Sequence, residues 1–403
     1  MSFTQPLSTG PLDFGRTQLA IPGPSVIPDR VLSAMHRASP NIYEGELLKT
    51  VDTLVPDLKA VARTEHDVAI YIANGHGAWE AALRNTLREG DRVLVVETGR
   101  FAAFWGDMAE SMGLHAERLD FGLQGAADPE RLAERLRDGD YRAVLTVQTD
   151  TATGVLNDVE AMGRAVREAA PDALFMVDCI ACLGCDRFEM DLWDVDVTVA
   201  ASQKGLMTPP GLGFVWFGPR ADAARERARP GSYWDWRPRV RPAGFYQYFA
   251  GTAPTHHVFG LREALDMLLH EEGLEAAWKR HETMAQAVWA ALDGWGENGA
   301  MRHNIHDPAR RSRAVSAIAT GADEARRIRE GAERGGLVLG IGLGFGDKGS
   351  DGWNSHFRIG HMGHQNVPMT MGLLGGIEVA MRAGGVPHGR GLERAAQVLA
   401  EAL

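Results

Sequence analysis

Two side chains in this 403-residue sequence are placed to do covalent chemistry together. Asp178 closes the apolar run Leu-Phe-Met-Val-Asp, and Lys204 follows the later run Val-Asp-Val-Thr-Val-Ala-Ala-Ser. A lysine amine forms a Schiff base with an aldehyde and, once released, can move a proton. An acid can hold a pyridine nitrogen protonated, so that the ring accepts the electrons of a carbanion. Ligands of open parallel sheets gather at the carboxyl ends of the strands, so both side chains should face one crevice. Ser202-Gln203-Lys204-Gly205 runs on into Met207-Thr208-Pro209-Pro210-Gly211. That crowds the amine between a buried strand and a rigid turn, where poor solvation lowers its pKa. Either residue alone is ordinary, a turn acid or a solvated lysine. The pairing singles them out.

A second pattern suits an anion. In Asn74-Gly75-His76-Gly77-Ala78-Trp79-Glu80 a strand turns into a helix through glycines. Free N–H groups at that helix N-terminus would receive a dianionic phosphate, with Gly75 and His76 as donors. Two further patterns carry less. Cys179, Cys182 and Cys185 are the only cysteines, and their spacing lacks a fourth ligand, with His256 and His257 far off in sequence. Free thiols in a packed turn are expected, not a metal site. Gly340-Ile341-Gly342-Leu343-Gly344-Phe345-Gly346 has the glycines of a dinucleotide fingerprint but neither the surrounding βαβ unit nor the following acid.

These residues need a scaffold, and the pattern around them supplies one. Apolar or β-branched runs at 67–73, 92–97, 142–148, 173–177, 195–200 and 212–217 read as strands covered on both faces. Stretches with apolar residues at helical spacing, 77–87, 104–112, 129–137 and 159–169, alternate with them. This predicts an α/β fold, a large three-layer domain on a mostly parallel sheet. From Gly260 onward amphipathic helices, including 274–295, and a few short strands predict a smaller C-terminal α+β domain. The expected division is an N-terminal arm over 1–20, a large domain over 21–275 and a small one over 276–403. The aromatic, Gly-rich segment 242–254 is too apolar for a solvated loop and reads as a partner surface or site wall.

Composition narrows the partners. With 45% apolar residues there is material for two packed lobes. A net charge of -11, with Lys and Arg scattered, argues against nucleic acid and against a membrane surface. The N-terminus lacks the basic and apolar regions of a signal peptide, and no apolar run is long enough to span a bilayer. A cytoplasmic protein acting on small molecules is expected.

Asp178 in VDCIACLG and Lys204 in SQKGLMTPPGLG closely resemble the class V aminotransferases of PLP fold type I, in particular the alanine-glyoxylate and serine-glyoxylate group. The segments IPGPSVIP, NGHGAWEAAL, TGVLNDV, GTAPTHHVFGLREAL, and GIGLG leading into FRIGHMGH extend the match along nearly the whole chain. The resemblance implies pyridoxal 5'-phosphate on Lys204 with Asp178 at the ring nitrogen. Asn74, Gly75, His76 and Gln203 are implied at the phosphate, together with Thr252 from the second subunit of a homodimer. Phe101 falls where the family stacks an aromatic ring on the pyridine, although ordinary core would also explain it. Thr151 aligns with the hydroxyl at the phenolic oxygen, and Thr153 is a neighbouring alternative. Arg358 matches the arginine that grips the substrate α-carboxylate, which a planar guanidinium fork suits; a surface ion pair is its structural alternative. Gly23 would let the N-terminal segment pass near the same carboxylate. His361 and His364 read as structural.

The implied reaction is ping-pong transfer of an amino group from a small amino acid, alanine or serine, to glyoxylate or a similar 2-oxo acid. The alternative is another donor, aspartate or a pyridoxamine-like amine, with pyruvate or glyoxylate. A lyase or desulfurase is disfavoured because no cysteine follows Cys185. The sequence departs from the family at Phe249, where a tyrosine is common and Tyr246 or Tyr248 would have to compensate. It departs again over His36–Glu44, where Tyr43 and a buried Glu44 would line the site mouth and restrict the donor.

Overall fold

The computed structural model describes residue 12 and residues 14–403. The expected arm over 1–20 lies outside them except for its last part. There Gln18–Ala20 pairs in parallel with Leu337–Leu339, and Ala20 packs into the core of the C-terminal lobe.

Seven strands form the central sheet. They are β1 (Asp67–Ala73), β2 (Arg92–Glu97), β3 (His115–Asp120), β4 (Ala143–Val147), β5 (Leu174–Asp178), β6 (Val197–Ala201) and β7 (Gly211–Phe217). Their spatial order is β1-β7-β6-β5-β4-β2-β3. All neighbours are parallel except β7, which runs antiparallel to both β1 and β6. Alternate residues divide between two cores. Val68, Ile70, Leu94, Val144 and Phe175 face one layer of helices, and Ala69, Tyr71, Val93, Leu145 and Met176 face the other. Burial on both faces is why these strands read as continuous apolar runs.

Strand β3 was not expected. His-Ala-Glu-Arg-Leu-Asp has no apolar run because it is an edge strand, only half-buried, and it is held in part by Arg118 on Glu97 at 2.6 Å. Two helices begin earlier than their apolar spacing suggests. Gly75–Thr86 starts at Gly75 because the Asn74 side chain caps it, accepting from the Gly77 N–H at 3.3 Å. Arg100–Ser111 starts four residues before the expected 104 because its first N–H groups meet the carboxylate of Asp150, remote in sequence.

The C-terminal lobe is built on an antiparallel sheet of Arg302–His303, Val315–Ala319 and His356–Gly360. Helices Glu324–Glu333, Val367–Ala383 and Gly391–Ala402 bury their apolar faces in one core with it. The long helix Leu274–Gly296 contributes Leu274 and Ala277 to the large core and Met284 to Trp295 to the small one, so it joins the lobes. Among the described residues no helix is long and apolar enough to cross a membrane.

Candidate active site

Five parallel strands end on one side of the sheet, and the segments that leave them enclose a cavity of about 250 Å³. Asn74, Gly75 and His76 follow β1; Phe101 lies just beyond β2; Thr149 and Thr151 follow β4; Asp178 ends β5; Gln203 and Lys204 follow β6. Registry makes them converge. Asp178 pairs with Val147 on one side and Val199 on the other, so β4 and β5 end level and β6 runs two residues further.

Asp178 is buried. Its Oδ2 accepts from Trp79 Nε1 at 2.9 Å and its Oδ1 from the Ile180 N–H at 2.6 Å. Burial pushes the carboxyl up to about 7; the two hydrogen bonds and the Lys204 charge oppose this without cancelling it. Desolvation thus outweighs pairing, and the acid is poised to share a proton with a base placed against it.

Lys204 Nζ donates to the Pro22 carbonyl. Burial and then the Arg358 charge lower its pKa to about 8, against the raising effect of Asp178. More of this amine is free base near neutral pH than for an ordinary lysine. The N-terminal segment is stapled over it. The Ser25 N–H donates to the Gln203 carbonyl at 2.9 Å, and Ser25 Oγ to the Lys204 carbonyl at 2.7 Å. Gly23, at φ +96°, has no room for a Cβ, which would fall on the Lys204 side chain. Gly23 therefore touches the lysine itself, a closer relation to the site than the one expected.

Arg358 enters from the other lobe, on strand His356–Gly360. It is buried, with Nε donating to the Ile341 carbonyl and Nη1 to the Thr151 carbonyl, each at 2.8 Å. Burial lowers its pKa to about 10, and the Asp150 charge partly offsets that. Arg358 is buried and its hydrogen bonds go to carbonyls, so the surface ion pair is ruled out. A guanidinium buried without a counter-ion is costly unless an anion visits it.

At the other end of the cavity the N–H groups of Gly75 and His76 have no acceptor among the described residues, and the buried Gln203 Oε1 lacks a partner. A carbonyl facing inward is equally an amide NH₂ after a flip, since the two are assigned from their surroundings. These orphan groups fit a phosphate, and with Asp178 and Lys204 they fit pyridoxal 5'-phosphate.

Thr151 lines the cavity, whereas Thr153 turns away to donate to the Thr98 carbonyl at 3.0 Å. Phe101 lines it too, half-buried. Trp79, Thr149, Ile180 and Ala181 were not singled out from sequence. Trp79 could have been, since it lies one helical turn beyond Gly75. In the single chain Tyr43 is 84% exposed and outside this cavity, and Glu44 is exposed as well, accepting from Asn41 Nδ2 at 3.3 Å. Their loop lies between helices Asp29–Met35 and Glu46–Ala62, at the surface of the chain. Thr252 is also exposed and outside the cavity. The three cysteines are buried free thiols, with Cys182 Sγ donating to Gln148 Oε1 at 3.0 Å, and burial pushes all three pKa values up. His361 is buried between Ser316 Oγ at 3.0 Å and the Arg313 carbonyl at 2.8 Å.

Comparison with known proteins agrees with this geometry. The family described as Aminotransferase class-V matches residues 27–329. The chain is 35% identical to a serine–glyoxylate aminotransferase of Methylorubrum extorquens, over 96% of this chain and 97% of that one. It is 33% identical to an L-aspartate–glyoxylate aminotransferase of Paracoccus denitrificans, over 91% of each. The solved ureidoglycine–glyoxylate aminotransferase of Bacillus subtilis shares its fold with a TM-score of 0.85, covering 97% of this chain and 100% of that one at 22% identity. The chain belongs to the class-V aminotransferases, pyridoxal 5'-phosphate enzymes of fold type I.

Proposed function

We propose that this enzyme moves the amino group of serine or alanine to glyoxylate or a similar 2-oxo acid, in two half-reactions that share one site. The observation that carries the reading is the buried, unpaired Arg358 guanidinium close enough to lower the Lys204 pKa. It would hold the α-carboxylate that donor and acceptor have in common. The relatives named for transfer to glyoxylate support the choice of acceptor.

Pyridoxal 5'-phosphate, when bound, supplies an aldehyde that takes up the amino group and a ring that takes up the electron pair left at the substrate α-carbon. The chain's own residues do the rest. Lys204 Nζ would take the proton from the α-carbon and pass it to the cofactor's aldehyde carbon in one half-reaction, and carry it in the opposite direction in the other. Its depressed pKa keeps a free-base fraction near neutral pH. Asp178 holds the ring-nitrogen proton, its two oxygens fixed by Trp79 and Ile180. Phe101 covers a ring face and Thr151 reaches the phenolic oxygen. Asn74 fixes the helix start, whose Gly75 and His76 N–H groups would receive the phosphate together with Gln203 from the segment after β6. Gly23 lets the segment carrying the Pro22 carbonyl close over the lysine. In this reading the enzyme is a cytoplasmic homodimer, and Thr252 and the loop bearing Tyr43 serve the partner's site.

Purified protein should be yellow, and Lys204→Ala should lose the visible band; colourless wild type after soaking in the cofactor rejects the reading. Initial rates with serine, alanine, aspartate and pyridoxamine against glyoxylate and pyruvate then assign the substrates. Aspartate as the best donor would favour the alternative.

A further inference from the structure

Asp150 is completely buried, and none of the roles above uses it. It ends the short strand Thr149–Asp150, immediately before Thr151. Its Oδ2 accepts the N–H groups of Phe101 at 2.8 Å and Ala102 at 3.3 Å, and its Oδ1 accepts that of Ala152 at 2.9 Å. The first two are orphan donors of helix Arg100–Ser111, whose own N-cap, Gly99, has no side chain to offer them. A carboxylate from a remote segment thus caps the helix, with the favourable sign for its dipole.

Gly99 makes the approach possible. A Cβ there would fall on the Asp150 carboxyl group. The Gly99 backbone is extended, at φ 162° and ψ -172°, a conformation open to any residue. The glycine is needed for space alone. On its other side Asp150 precedes the Thr151 carbonyl that holds Arg358 Nη1, and its own carbonyl accepts the Gly154 N–H at 2.8 Å. The Arg358 charge and the three N–H groups counter the cost of burying the carboxylate.

We infer that Asp150 is a positioning residue: its carboxylate ties the backbone beneath Phe101 to the turn that presents Thr151 and holds Arg358. The wall against the ring and the grip on the substrate carboxylate then move as one body. The inference rests on the roles proposed above for Phe101 and Arg358. A carboxylate that served folding alone would change the amount of active enzyme and leave its substrate affinities untouched.

Two variants test it. Asp150→Asn keeps the shape but replaces one acceptor by a donor, and Gly99→Ala displaces the carboxylate while leaving its charge. In the cofactor-free protein, amide hydrogen exchange over residues 99–103 should speed up in both. In the loaded enzyme, KM for donor and for oxo acid should rise together about tenfold, with kcat lowered by less than about threefold. The double variant should be no worse than the poorer single one, because both act on one contact. Unchanged KM values with unchanged exchange in folded variants overturn the inference, as do additive effects. If Asp150→Asn does not fold, Gly99→Ala alone decides by the same two readouts. A wild type that transfers no amino group would reject the proposed function, and the exchange rates would still judge the Asp150 contact.

Discussion

At the scale of single residues, the site is a balance of four buried charges. Burial raises the pKa values of Asp178 and Asp150 and lowers those of Lys204 and Arg358, and the field of an oppositely charged group partly offsets each shift without an ion-pair contact. Arg358 is set apart because its planar fork is already oriented by two carbonyls. An ammonium cannot reproduce that fork, so Arg358→Lys should raise KM for every α-carboxylate substrate. The cost in kcat/KM should be about 10- to 100-fold, or ~1–3 kcal/mol, as for loss of a charge-assisted hydrogen bond. Steady-state kinetics check this. A variant with both KM values unchanged would mean that the carboxylate is held elsewhere.

At the scale of elements, the catalytic groups ride on strand ends, and the second lobe is aligned to them through buried histidines. His281, on the helix Leu274–Gly296 that joins the lobes, donates from Nδ1 to the Ala277 carbonyl at 2.7 Å and accepts the Gly363 N–H on Nε2 at 2.9 Å. His361, just after the strand that carries Arg358, is buried in the same way. Burial drives their pKa values down to about 3 and about 4, so both are neutral when folded. The unfolded chain takes up their protons below about 6.5. Their contribution to stability is therefore complete above that pH and is lost as pH falls toward 4, on the order of 1.4 kcal/mol per pH unit for each histidine. Asp178, with its raised pKa, acts in the opposite sense, so the comparison must be between variants. His361→Gln should be less stable than wild type at pH 7.5 but flatter in its urea midpoint between pH 6.5 and 4. Parallel profiles would refute the assignment.

At the scale of the molecule, the proposed dimer can be tested on residues that one chain leaves at its surface. Thr252, Tyr43, Ile72 and Tyr246 are exposed. In the proposed two-fold dimer they would be covered, and Thr252 would reach the neighbouring phosphate. Light scattering should give about twice 43.8 kDa. Thr252→Glu should repel the phosphate, and Lys204→Ala should be inactive. Refolded together in equal amounts, the two should recover roughly a quarter of wild-type activity, since half the dimers would hold one intact site. No recovery would place Thr252 elsewhere.

The sequence by itself determined the layered α/β fold, the strands buried on both faces and the members of the site that lie just after them. Periodicity and turn chemistry are local signals, and a residue after a parallel strand has only one crevice to face. Eight of the residues singled out from sequence, Asn74 through Lys204, line the one cavity. Strand β3 escaped notice because an edge strand need not be apolar. Only the tertiary structure could separate Thr151 from Thr153, strip Arg358 of an ion pair, place Gly23 against Lys204 and turn Tyr43 to the surface. It alone brought Asp150 to the start of a helix some fifty residues away in sequence. Those facts depend on which distant groups are left without partners once the chain has packed, and a count of neighbours along the sequence does not contain them.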